Sequence, residues 1–154
     1  MGRAATIQGV DIDPDQLNQV LAQRLGAVVP DGFHVEAAGG MLWYTADKGR
    51  FPGQDGSYRV GTAGTHVRDN FAVHGETDQE RAAGVTAQAL DELQDYISEA
   101  NHDPWPGQRA QPQARAQVRD GVLFAWYEGP GSPSGTVLEI EPVPLADLQL
   151  NSQA

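Results

Sequence analysis

Apolar residues recur at Ala82, Val85, Ala89, Leu90, Leu93, Tyr96, Ile97 and Ala100, and steps of three and four along a chain trace one stripe down a helix. Thr77-Asp78-Gln79-Glu80 stands just ahead of the stripe and reads as a capping box. In that arrangement the threonine hydroxyl takes a free backbone N–H and the glutamate reaches back to the cap residue. The pattern predicts one long helix from Thr77 to Ala100, stopped by Asn101-His102-Asp103-Pro104 because proline cannot continue it. A shorter helix is predicted near the amino terminus. Its signals are Asp13 as cap, Pro14 at the first helical position, Leu17, Val20, Leu21 and Leu25 on one side, and Gly26 as a stop.

Elsewhere the period changes from about 3.6 to 2. Phe33 to Ala37 alternates like a strand, Gly39-Gly40 supplies a two-residue turn, and Met41 to Ala46 returns. Ser57 to Val60 reads as a third strand, and Thr65 to Val73 as an edge strand within the ambiguous stretch Gly61 to Glu76. Beyond the long helix, Ala114 to Arg119 and Val122 to Tyr127 flank Asp120-Gly121, a type I′ turn pair. A loop rich in Gly, Pro and Ser covers 129–135, Thr136 to Glu141 is a further strand, and Pro144 to Leu150 reads as a closing helical turn or two. Helices and hairpins without βαβ spacing predict an α+β fold: a mainly antiparallel sheet of five or six strands with one short and one long helix, in a single domain over 1–154. The segments 13–60 and 77–141 share the order helix, hairpin, further strand, and their turns lie 81 residues apart, an order compatible with an α-β-β-β duplication, although residue identity between the halves is poor and hairpins are common.

Charge narrows the partners. Ten Lys and Arg against 21 Asp and Glu leave a formal charge of -11, which opposes phosphate backbones and anionic lipid, so neither nucleic acid nor a membrane is an expected partner. No Lys or Arg lies between Ala82 and Gln108, or from Asp120 onward. The chain has no cysteine, which removes disulfides and thiolate chemistry. Met1 to Val10 carries no apolar run of the signal-peptide kind, and no segment approaches the roughly 20 apolar residues that span a bilayer, so a soluble cytoplasmic protein is expected.

Pro104-Trp105-Pro106-Gly107, Leu123-Phe124-Ala125-Trp126-Tyr127 and Val137-Leu138-Glu139-Ile140-Glu141-Pro142 resemble segments of uncharacterised small acidic proteins of actinobacteria. The resemblance implies no activity and no site residues. The order of elements is similar to that of type III secretion chaperone-like folds, a likeness of topology with which function does not travel.

No catalytic or cofactor constellation is assembled along the chain. Asp11, Asp13 and Asp15 alternate like the opening of an EF-hand loop, but Gln16 stands where that loop needs glycine and Ala22 where it needs glutamate. Gly61-Thr62-Ala63-Gly64-Thr65 lacks the lysine of a phosphate-binding loop, and the serines at 132–134 do not fit a nucleophile elbow. No metal and no cofactor is therefore expected. Asp91, Asp95 and Glu99 form an acidic line on the long helix, suited to solvent or to a basic partner. Trp43-Tyr44 and Trp126-Tyr127 sit on the returning strands of the two hairpins, and alternation sends the members of each pair to opposite faces, so both sheet faces are expected to be apolar. Trp105, between two prolines, is expected to cap the long helix.

These residues predict a protein-binding, adaptor or chaperone-like module without catalytic activity. Trp43, Tyr44, Trp126, Tyr127 and Trp105 are its contact residues, and its partner is another protein or a second copy in a homodimer. The alternative is a small enzyme with its site near His66, Asp69 and His74. A third reading is an acidic inhibitor that imitates nucleic acid.

Overall fold

A computed structural model describes residues 11–47, 51–52, 55–59, 61–107, 112–129 and 135–149. The stretch Met1 to Val10, Val60 and the loop at 130–134 lie outside the described residues. Helix α1 is Pro14–Gly26, with the Asp13 carboxylate accepting the Asp15 N–H at 3.0 Å and proline at the first position. Asp15 of that segment holds Arg68 at 3.0 Å, and the Ile12 N–H donates to Asp78 at 2.7 Å.

Strands β1 (Phe33–Ala38) and β2 (Met41–Ala46) form the first hairpin, and β5 (Thr62–Thr65) pairs with the other edge of β2. Gly39 and Gly40 both have positive φ, as the type I′ turn requires. Between β2 and β5 a separate ribbon joins β3 (Phe51–Pro52) to β4 (Tyr58–Arg59). The strand expected at Ser57 to Val60 thus belongs to that ribbon, and β5 takes the third place in the sheet. Thr65 to Val73 is not an edge strand beyond its first residue, because α2 (Val67–Phe71) and a 3-10 turn at Ala72–His74 follow β5 directly.

Helix α3, Asp78–Asn101, begins at the expected capping box: Thr77 Oγ1 accepts the Glu80 N–H at 3.1 Å and Glu80 Oε1 accepts the Thr77 N–H at 3.2 Å. It ends at His102, whose left-handed backbone lets its N–H reach the Ser98 carbonyl. Replacing Thr77 by alanine is expected to cost about 1 kcal/mol in urea unfolding, with the denaturant slope unchanged. A loss below a few tenths of that would mean the box contributes nothing to stability. Within the helix, a Cβ on Gly84 would lie 2.6 Å from the Cβ of His74, so glycine there admits the 3-10 turn against the helix.

The second meander is β6 (Gln113–Arg119), β7 (Val122–Glu128) and β8 (Thr136–Pro144), followed by a 3-10 turn at Leu145–Leu148. The class is α+β and antiparallel, but the strands do not make one sheet of five or six. They form two three-stranded sheets, β1-β2-β5 and β6-β7-β8, plus the ribbon, and α3 lies against both sheets. The reason is α3 itself: its broad buried stripe separates the two meanders, and one hydrophobic cluster joins both sheets to both long helices. The order helix then three-stranded meander does occur twice.

Candidate functional site

The two Trp-Tyr pairs split as alternation requires, tyrosine inward and tryptophan outward. Tyr44 and Tyr127 are fully buried, so they have no surface to offer a partner, contrary to the expectation that they bind one. Each instead fastens its sheet to the middle of α3. The Tyr44 hydroxyl lies 3.2 Å from the carbonyl of Ala89, and Tyr127 donates to that of Leu90 at 2.6 Å. A carbonyl has two lone pairs, so neither bond need displace the helix's own. Burial is the main cause that pushes both phenols well above their ordinary pKa. Measured from the turns, the inward sets are Leu42, Tyr44, Ala46 and Leu123, Ala125, Tyr127, the same three residue types with Tyr and Ala exchanged.

Trp43 is 38% exposed, and its ring N–H reaches the Ala38 carbonyl at 3.3 Å. Its neighbours on the outer face of β1-β2-β5 are His34, Glu36, Thr45 and Thr62 by register. That face is mixed, with Met41 beside Trp43 over Gly64 and polar residues around them, which corrects the expectation of an apolar sheet on both sides. Trp105 is half-buried beside α3's end, edge-on to Tyr127 at 5.4 Å, with its N–H donated to Ser98 Oγ at 2.9 Å.

The outer face of β6-β7-β8 is different. Cross-strand register sets Arg115 opposite Trp126 and Gln117 opposite Phe124 on one side of β7, with Glu139 opposite Trp126 on the other. The Arg119 guanidinium lies over the Phe124 ring, 4.7 Å from its centre. Arg115 reaches Glu128 at 3.5 Å, and the Trp126 ring N–H donates to the same carboxylate at 3.3 Å. Val122, Phe124 and Trp126 are all half-buried. The face is therefore striped: basic on β6, aromatic on β7 with Glu128 at its end, acidic on β8 at Glu139 and Glu141. The arginines were missed in the sequence, although the signal was present. A two-residue turn at 120–121 fixes pairs whose numbers sum to 241, which already sets Arg115 beside Trp126.

The residues of the alternative site have the following surroundings. His66 precedes α2 as its cap residue and is exposed, Asp69 is exposed, and the imidazole of His74 turns to Gln88 at 2.6 Å. Among the described residues no group of three or more His, Asp or Glu side chains is placed to hold a metal ion. What His74 does join is a chain of polar contacts. Gln88 donates to Glu92 at 3.1 Å, Thr65 donates to the other Glu92 oxygen at 2.5 Å, and Tyr44 meets Thr65 Oγ1 at 2.5 Å. Both Glu92 oxygens are occupied, so the chain ties β5 and β2 to α3. Gln88 and Glu92 are related by their i, i+4 spacing on the helix, but nothing in the one-dimensional sequence relates them to Thr65.

The acidic line on α3 is exposed at Asp91, Asp95 and Glu99. Partial burial first, and then the neighbouring carboxylates of Asp95 and Glu92, raise the Asp91 pKa. An open crevice of about 400 Å³ lies between the end of α1 and β8, where Arg24 donates to the carbonyls of Glu141 and Pro142 at 3.2 and 3.4 Å. Its arginine thus caps backbone of strand β8. No helix of the described residues is long and apolar enough to cross a membrane. No family model, no curated protein and no solved structure matches the chain.

Proposed function

We propose that the protein is a binding module for another protein chain, adaptor-like or chaperone-like and without catalytic activity, and that it binds through the outer face of β6-β7-β8. One observation carries this reading: Phe124 and Trp126 stand half-exposed side by side with Arg115 and Arg119 around them. Aromatic residues and arginine are the side chains enriched in interface cores and hot spots. Trp43 has Met41 as its one large apolar neighbour on a face otherwise carrying His34, Glu36, Thr45 and Thr62, and Trp105 leans into the core, so neither is placed at the centre of the contact. His66, Asp69 and His74 form no metal-holding group among the described residues, so the enzyme alternative has no comparable observation behind it.

A photo-cross-linking side chain at Gln117, which is exposed in the middle of this face, tests the reading against the same group at Glu36 on the other sheet. Expressed in the native host, the Gln117 probe is expected to capture a protein, and the Glu36 probe is not. Equal capture at both positions, or none at Gln117, would overturn the assignment.

A further inference from the structure

The striped face is complementary to itself. Its central row runs Arg115, Trp126, Glu139 across β6, β7 and β8. In the next row Phe124 lies under the Arg119 guanidinium, and the irregularity in β8 between Ile140 and Val143 places Glu141 near its other side. Turning such a face over about an axis parallel to β7 exchanges β6 with β8 while keeping each row at its own height. Positive then meets negative and aromatic meets aromatic in both rows, while Glu128 at the end of β7, paired with its own Arg115, lies against the Glu128 of the other copy. An axis perpendicular to the strands would instead set β6 on β6 and bring like charges together.

We infer that the outer face of β6-β7-β8 docks on the same face of a second copy of this chain, around a two-fold axis parallel to β7, with Arg115 and Arg119 set against Glu139 and Glu141 of the other copy. The inference rests on the reading of this face as a protein-binding surface and names its partner. Three strands about 4.8 Å apart, taken over the seven residues of β6 and of β7, present roughly 350 Å² in projection, well below the ~800 Å² per partner of a tight complex. The dimer is therefore a weak, reversible one that forms at tens of micromolar or above. Its attraction is partly between exposed charges, so salt weakens it.

The two-fold arrangement makes a sharp demand on charge reversals. In Arg115→Glu every copy sets a glutamate at position 115 against the Glu139 of the other copy, so two negative charges meet. In Glu139→Arg every copy sets an arginine at position 139 against the Arg115 of the other, so two positive charges meet. Each variant alone repels itself. Mixed one to one, the two variants face each other with opposite charges at both contacts. Both positions are exposed, and Arg115→Glu also gives up the Arg115–Glu128 pair within the chain, so circular dichroism of each variant alone checks that the fold is kept.

Sedimentation velocity of the unmodified protein from about 10 to about 500 µM is expected to show reversible growth from 16.5 kDa toward twice that mass. Each single variant is expected to dimerise at least tenfold more weakly, and the equal mixture to recover most of the loss. Dimerisation indifferent to both reversals, or lost in both without recovery on mixing, would overturn the arrangement. A monomer at the highest concentration overturns the second copy as partner. If the Gln117 probe then still captures a foreign protein, the binding-face reading stands without this inference; if it captures nothing, both fall.

Discussion

Tyr127→Ala is expected to leave the protein largely unfolded at 37 °C, while Tyr127→Phe keeps it folded. The alanine change removes a fully buried ring that packs edge-on against Trp105 and donates to the Leu90 carbonyl. Losing a buried aromatic costs about 3–5 kcal/mol, and the hydrogen bond about 1 kcal/mol more. That sum, about 4–6 kcal/mol, matches the lower end of the roughly 5–15 kcal/mol stability of an ordinary domain. The phenylalanine variant keeps the ring and gives up the hydroxyl alone, so about 1 kcal/mol is expected. Urea titration followed by tryptophan emission separates the two. Equal losses from both variants would mean the hydroxyl, and not the ring, holds the sheet on α3. A small loss from Tyr127→Ala would mean that β6-β7-β8 is not fastened there.

Alkaline unfolding is the second large effect. Tyr44 and Tyr127 are held neutral by burial, so their folded pKa values lie above the ordinary 10, and burial lifts Tyr96 to about 12. Below pH 10 the phenols are neutral in folded and unfolded chains alike, and their contribution to stability is complete. Above pH 10 the unfolded chain releases protons that the folded one retains, so stability falls as pH rises toward and through the folded values. The two fully buried phenols together remove about 3 kcal/mol per pH unit, enough to unfold the protein by about pH 12. In a Tyr58→Phe background all tyrosinate absorbance reports these three rings. It is expected to appear together with loss of the helical circular dichroism. Absorbance rising with a midpoint near 10 while the dichroism stays native would show that the phenols are not buried.

The two hairpins show where local information suffices. Gly39-Gly40 and Asp120-Gly121 both adopt the positive φ of a type I′ turn, and each turn sets the register of its strands with no help from elsewhere. The capping box and stripe of α3 are local in the same sense, because every partner lies within a turn or two of helix. Those elements, the α+β class and the opposite facing of each Trp-Tyr pair were all legible in the chain. So was the chemistry of the striped face, although the sum rule across the 120–121 turn had to be applied to find it.

What the sequence could not decide is which elements share a sheet and which member of each aromatic pair goes inside. Thr62 to Thr65 reads as weakly as any loop, yet it completes the first sheet because β2 offers a free edge and the Thr65 hydroxyl has Glu92 across the gap. The chain of contacts from His74 to Tyr44 joins residues from four elements, and its parts have no spacing in common. Alternation says only that Tyr and Trp part company. The tertiary structure sends tyrosine inward because α3 presents the Ala89 and Leu90 carbonyls at the depth a phenol reaches, so its hydroxyl can be buried with a partner. The same helix, by filling the space between the meanders, divides one expected sheet into two and leaves the Arg-aromatic face of the second turned outward.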